Sequence, residues 1–207
     1  GWTIAGPVSE IAVAVRGTVE TTDLTGVLRA HRETVAPDCY LRDTTPTRAD
    51  VALVTLAQSA TGEGPLQLAH ALSAAVSDAI AYRPGVTHAH TTAAEALALG
   101  EGVCQDHAHA LIAVARARGI PARYVSGYLF ATEDGTPHEA AHAWAELHVS
   151  GLGWVGFDPA NRSCPDDRYI RLGSGFDAQD AAPIRGIARG AAVEAMDVTV
   201  AVLQSAQ

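Results

Sequence analysis

Gly100-Glu101-Gly102-Val103-Cys104-Gln105-Asp106 carries a cysteine out of a glycine-bearing loop and onto what reads as the first turn of a helix. A helix N-terminus bears roughly half a positive charge and unpaired backbone N–H groups, and both favour a thiolate over a thiol. In general such placement brings a cysteine pKa from about 8.5 into a range of roughly 3.5–7.5. The plain alternative is a buried structural cysteine, the commonest fate of an unpaired thiol in a soluble protein. The flanking sequence decides between the two.

Downstream, Ala108, Leu111, Ile112 and Ala115 mark the buried face of this helix, and Gly119 followed by Pro121 stops it. Beyond the stop, Ala122 to Leu129, Ala141 to Val149, Trp154 to Asp158, Tyr169 to Leu172 and Val198 to Val202 read as strands. Upstream, Thr47-Arg48-Ala49-Asp50 caps a helix running to about Ala60. Leu68, Leu72, Val76 and Ile80 recur every four residues in a second helix from Leu66 to about Tyr82. Thr92 and Glu95 form the capping box of a short third helix that leads into the glycine loop. Helices first and sheet second predict an α+β architecture, with an antiparallel sheet packed on the cysteine helix. Near the start, Ile11, Val13, Val15 and Val19 alternate with small or polar residues, the pattern of a half-buried strand over Ile11–Thr22.

A cysteine nucleophile needs a base and a group that orients the base. His142 and Asp158 are the candidates, on strands joined by Ser150-Gly151-Leu152-Gly153. If the hairpin is centred near Gly151, His142 lies across from about Ala160 and Asp158 is its diagonal neighbour on the same face. Leu147, Val149, Val155 and Phe157 then face the core, and His142, Trp144, Trp154 and Asp158 face the site. A register slip of one residue would undo this arrangement. Read singly, Trp144 and Trp154 are core aromatics and His142 a surface histidine; the combination with Cys104 gives them another meaning.

The chain has 207 residues with 48% hydrophobic content, enough for one globular core with a smaller attached element. Fourteen Lys and Arg stand against 23 Asp and Glu, a net charge of −9, with no basic cluster, so nucleic acid is not an expected partner. No apolar run approaches the roughly 18 residues that cross a bilayer, and no membrane is expected among the partners either. Cys39, Cys104 and Cys164 cannot all pair within one chain and fit neither a zinc ribbon nor a dense secreted framework, so they are expected reduced, in a cytoplasmic setting. The only methionine is Met196, so the sequence is expected to begin inside something longer, and a removed signal segment stays open.

Four blocks in order now carry a resemblance: Gly102-Val103-Cys104-Gln105-Asp106-His107-Ala108-His109, Arg118-Gly119-Ile120-Pro121-Ala122-Arg123-Tyr124, His142-Ala143-Trp144-Ala145-Glu146 and Gly153-Trp154-Val155-Gly156-Phe157-Asp158-Pro159. They resemble the transglutaminase-like superfamily, and within it the bacterial transglutaminase-like cysteine peptidases, from about residue 65 to 190. The resemblance implies a papain-like, transglutaminase-like core over residues 47–207. Residues 1–46 would be a β-rich segment, the incomplete end of an accessory region whose sheet a partner chain or a second copy would complete. It also implies that Cys104 is the nucleophile, His142 the general base and then acid, and Asp158 the group that orients His142. Two positions depart from the pattern: His107 stands where a large apolar residue is more usual, and Ala160 where a threonine often follows Asp-Pro. Both bear on the shape of the cleft.

The implied chemistry is attack of Cys104 on the carbonyl of a protein or peptide amide, giving a thioester, with no cofactor and no metal. Water as acceptor makes a cysteine protease or amidase, and an amine makes a transglutaminase. The Cys104 N–H would hold the oxyanion, with Gln105 as a second donor; one such donor is worth about 2.7–4 kcal/mol. Asp106, His109, Arg123 and Tyr124 match family positions and read equally well as packing or hydrogen-bonding support. A rival reading gathers some of the nine histidines, among them His88, His90, His107, His109 and His138 with His142, around a metal, but these spacings lack a partner cysteine or the helix and glutamate of a zinc hydrolase. Another is a catalytically idle fold used for binding, against which the intact triad stands.

Overall fold

The computed structural model describes residues 3–4, 6, 8–29, 32–130, 141–186 and 199–202. Helices α1 (Val51–Ser59), α2 (Pro65–Ala79), α3 (Ala93–Leu99) and α4 (Cys104–Ala117) precede an antiparallel sheet. Its strands are β3 (Ala122–Leu129), β4 (Ala141–Val149), β5 (Gly153–Phe157) and β6 (Tyr169–Gly175), in the order β5-β4-β3-β6. Two short strands, β1 (Ala81–Tyr82) and β2 (Glu101–Gly102), pair in parallel just ahead of Cys104. The expected α+β class and its layers are those observed.

Helix α4 is the axis of the fold. Every residue from Asp106 to Arg116 is buried, and small residues (Ala108, Ala110, Ala113 and Ala115) let α1, α2, α3 and the sheet approach it closely. Such all-round burial requires a helix without a polar face. Its deep cation, Arg116, is satisfied by neutral oxygens: Tyr40 O at 2.8 Å, Thr47 Oγ1 at 2.7 Å and Ala122 O at 2.9 Å. Burial with little neutralising charge lowers Arg116 to about 10.

The helix starts are local chemistry. Asp50 caps α1 through Leu53 N–H at 2.9 Å, and Thr92 and Glu95 close the expected reciprocal box on α3. Helix α2 stops sooner than expected. Its last residue is Ala79, because Ala81 and Tyr82 leave the helix to pair with β2.

The β4–β5 hairpin has the expected register: Ala145 faces Phe157, Leu147 faces Val155 and Val149 faces Gly153, centred on Gly151. Leu147, Val149, Val155 and Phe157 join the core against α4.

The strand expected over Ile11–Thr22 is not formed. Val13 is 72% and Val15 89% exposed, and the stretch has no ladder partner among the described residues. Alternation states which face a strand would bury, but a strand exists only where another backbone takes its hydrogen bonds. Further on, Val27 bridges Val155 and Leu28 N–H reaches Trp154 O at 2.9 Å, so residues 26–28 cover the outer edge of β5. The turn Pro37–Leu41 is held through Tyr40 on Arg116, so contacts cross the expected boundary at residue 46. Residues 199–202 form no strand, and Val198 lies outside the described residues.

Candidate active site

Cys104 is the first residue of α4, delivered by a loop that Asp106 holds shut. The Asp106 carboxylate accepts from Val103 N–H at 2.8 Å and from Thr87 Oγ1 at 2.6 Å. Gly102 is required here, since a Cβ at that position would lie 2.8 Å from Asp106 Oδ2. Asp106 is therefore a loop anchor at a helix N-terminus, and its second oxygen is buried without a partner among the described residues. All three cysteines are free; Cys104 and Cys164 are half-buried and Cys39 exposed.

Across from Cys104, His142 Nε2 meets Asp158 Oδ2 at 2.6 Å, and Asp158 is fully buried. The same carboxylate oxygen accepts from Asn161 Nδ2 at 2.7 Å and Tyr169 Oη at 2.8 Å. Burial opposes charge on His142, yet hydrogen bonds to Asp158 and Cys104, with their negative charges, outweigh it and lift the ring to about 9. With Nε2 occupied by Asp158, Nδ1 is the nitrogen left for the thiol. Burial likewise opposes ionisation of Asp158, and the bonds from His142, Asn161 and Tyr169 overcome it and hold the carboxyl below the usual range. The Tyr169 hydroxyl is pushed up by burial and by the Asp158 charge, so it stays a donor.

Aromatic rings fix the imidazole. Trp144 lies beneath it, 6.4 Å between centroids and nearly parallel, and Tyr169 stands edge-on to both. The indole lies flat across Gly127 of β3, where a Cβ would come within 2.5 Å of it.

The other predicted residues divide. Tyr124 is buried, and burial together with the charges of Cys104, Asp106 and Asp177 pushes its hydroxyl up. His109 packs against Tyr124 at 5.1 Å and accepts from Ala178 N–H at 3.1 Å; burial lowers the ring to about 4, so it is a neutral brace for the turn after β6. Gln105 Nε2 donates one N–H to Ala89 O at 3.2 Å and keeps a second. Trp154 is not brought to His142 and Asp158. It pairs with His148, six residues along β4 from His142 or roughly 20 Å. There Arg123 sits 4.0 Å over its ring.

Arg123 bonds Glu146 at 2.7 Å and also Glu33, so it is a support residue of the far end of the sheet. Among the described residues no three His, Cys, Asp or Glu side chains gather as a metal-donor set, and His138 lies outside those residues. Both nitrogens of His107 face backbone oxygens, Val103 O at 2.9 Å and Ile80 O at 2.8 Å.

Asn161 and Tyr169 were not anticipated. Asn161 had a signal, since an Asn three residues after Asp158-Pro159 suits a turn that folds back on the carboxylate. Tyr169 had none, because it arrives from β6 through long-range pairing with β3.

Residues 54–159 match the profile of the transglutaminase-like superfamily. The chain belongs to that superfamily, and the papain-like core expected of it is the one observed. It is 40% identical over 129 residues to the uncharacterized protein ML0607 of Mycobacterium leprae, covering 60% of this chain and 46% of that one. It is 43% identical over 117 residues to Rv2569c of Mycobacterium tuberculosis, covering 51% of this chain and 37% of that one. The matches thus span less than half the length of these relatives. A candidate cysteine protease from Cytophaga hutchinsonii, solved as a crystal structure, superposes with a TM-score of 0.61 at 28% identity, covering 78% of this chain and 55% of that one.

Proposed function

We propose that this domain is a thiol-dependent acyl-transfer enzyme, a cysteine hydrolase that cleaves an amide of a protein or peptide through a thioester. The observation that carries the reading is His142, held by Asp158 at 2.6 Å and raised to about 9 by its interactions with Asp158 and Cys104. At neutral pH such a ring is an imidazolium, already loaded with the proton that a departing amine needs, and the thiolate is the form of Cys104 that attacks.

The steps follow from these groups. The Cys104 sulfur bonds to the amide carbonyl carbon, and the oxyanion meets the Cys104 N–H, which has no acceptor within its own helix. As the tetrahedral adduct collapses, the carbon–nitrogen bond breaks and His142 gives its proton to the amine. The imidazole, now neutral, takes a proton from water, whose oxygen adds to the thioester carbon. Collapse releases the acid and returns the proton and the thiolate to the His142–Cys104 pair. Asp158 stays ionised throughout and keeps Nε2 in place.

The test is alkylation of each cysteine by iodoacetamide across pH, read by peptide mass spectrometry, in the parent and in His142→Ala. Fast labelling of Cys104 alone near pH 6, slowed in the variant, is the expected result. Labelling of Cys104 no faster than Cys39 overturns the reading in favour of an idle binding fold. Incubation with a casein digest and a fluorescent primary amine then separates hydrolysis from amine transfer.

A further inference from the structure

The turn that follows Asp158 is built around its carboxylate. Asp158 and Ser163 exchange backbone hydrogen bonds at 2.8 and 3.1 Å and so close the turn. Asn161 folds back inside it: its backbone N–H reaches Asp158 Oδ1 at 3.3 Å, and its Nδ2 reaches Oδ2 at 2.7 Å. The next residue, Arg162, takes a left-handed φ of +53°, uncommon away from glycine. Its guanidinium ties this strained position to the end of α2 through Asp78 at 2.7 Å and Ser77 O at 3.1 Å. The strain lies where it lays an amide across the His142–Asp158 pair.

Three donors meet one oxygen there. His142 Nε2 stands 2.6 Å from Asp158 Oδ2, Asn161 Nδ2 2.7 Å and Tyr169 Oη 2.8 Å, whereas a carboxylate oxygen offers about two lone-pair sites. Tyr169 gives Asp158 its single proton, so Ser163 Oγ, 3.2 Å from the phenol, is the donor in that contact and strengthens the phenol as a donor in turn. Asn161 Nδ2 also lies 3.3 Å from His142 Nε2, two donor atoms side by side. Each neutral donor points the positive end of its dipole at the oxygen and, with it, at the imidazolium. It steadies the buried anion and weakens the anion's pull on the ring. The cations near the turn are engaged elsewhere, Arg162 with Asp78 and Arg168 with Asp166, while Cys104 acts on His142 from α4.

We propose that Asn161 and Tyr169 are positioning residues for the acyl transfer, which set how firmly Asp158 holds His142 by competing with the imidazole for Asp158 Oδ2. Their part in catalysis rests on the acyl-transfer reading above; the competition does not. A more tightly held imidazolium gives its proton to a departing amine less readily, and a loosely held one lacks that proton at neutral pH. Donors that share the oxygen place the ring between these limits.

The test follows the His142 ring nitrogens by NMR in the full chain, isotopically labelled in its histidines, in the parent, Asn161→Ala and Tyr169→Phe. Asn161 is exposed, and phenylalanine keeps the ring of residue 169 against Trp144, so both variants retain the packing of the sheet. Competition requires more imidazolium when either donor is lost. At pH 9, near the midpoint of the parent's ring, the ratio of imidazolium to imidazole should rise about three- to tenfold, the reach of one neutral hydrogen bond. A purely structural role requires the reverse, since a loosened Asp158 would let the ring fall toward the ordinary histidine value of about 6.5. A ratio unchanged or lowered in either variant overturns the competition. Iodoacetamide labelling of the parent is run alongside. A slow Cys104 with a raised ratio sinks the part in catalysis alone, whereas a fast Cys104 with an unchanged ratio sinks the competition alone.

Discussion

Glu146 and Asp158 are carboxylates on the same face of one sheet, 3% and 0% exposed, yet their surroundings make one a rivet and set the other against a titratable imidazole. Glu146 is bonded by Arg171 at 2.7 Å and by Arg123 at 2.7 Å, and Arg123 continues to Glu33 beneath Trp154. Burial opposes both charges, but the pairing lowers Glu146 and raises Arg123, so no proton moves there at any working pH. The Asp158 carboxylate instead meets one imidazole and two neutral donors. Its only partner able to trade a proton near neutrality is His142, whose other nitrogen is left for a thiol. Burial and pairing alone therefore do not define a site; a titratable partner with a second side open to a nucleophile does.

The largest contrast comes from removing the working groups. Cys104→Ala should abolish amide cleavage, and His142→Ala should lower it by about 10²–10⁴-fold. Cys104→Ala should leave thermal unfolding close to the parent's, as calorimetry would show, whereas His142→Ala also leaves the buried Asp158 without its charged partner and should unfold at a lower temperature. Glu146→Ala should do the opposite. It leaves Arg123 buried with only Glu33, and breaking a buried pair costs about 3–5 kcal/mol. Denaturant titration reads that loss, and a Glu146→Ala protein of parental stability would remove the distinction between the two regions.

Proton traffic gives a finer comparison. The parent's rate should fall as pH rises through about 9, where the His142 imidazolium loses the proton it supplies. Asp158→Asn removes the charge that lifts the ring, so the falling limb should move toward the ordinary histidine value of about 6.5. Stability follows the same sign. A ring raised from 6.5 to about 9 contributes stability that is fully present below 6.5 and lost as pH rises through 9. Chemical unfolding across that window should show the decline in the parent and little of it in Asp158→Asn.

Much of this geometry was legible because local rules governed it. The glycine turn at 151–153 set the β4–β5 register, and the register put His142 beside Asp158. The box of Thr92 and Glu95 set α3, which aims the chain into the Cys104 loop. What escaped notice depended on distant partners. Tyr169 reaches Asp158 from a strand paired on the far side of β3, and the Ile11–Thr22 alternation named a face with nothing to cover it. Trp154 is the instructive case, since the hairpin centre that sets Asp158 diagonally beside His142 also pairs Trp154 with His148. Parity assigned its face correctly, and only the register could say which end of that face.

That assignment leads to the smallest effect. Trp154→Phe should cost about 1–2 kcal/mol, from the lost ring face under Arg123 and a small cavity beside Tyr40. Its rate and pH profile should match the parent's, because the ring stands six residues along β4 from the imidazole. Trp144→Phe is the matched control. The shorter ring no longer fills the space over Gly127 or backs His142, so a similar loss of stability should come with a lower rate. Rate and urea midpoint measured on both variants decide the matter: equal rate losses would mean that the two ends of the face act as one unit, and that the Arg123–Glu146 network reaches the chemistry through β4.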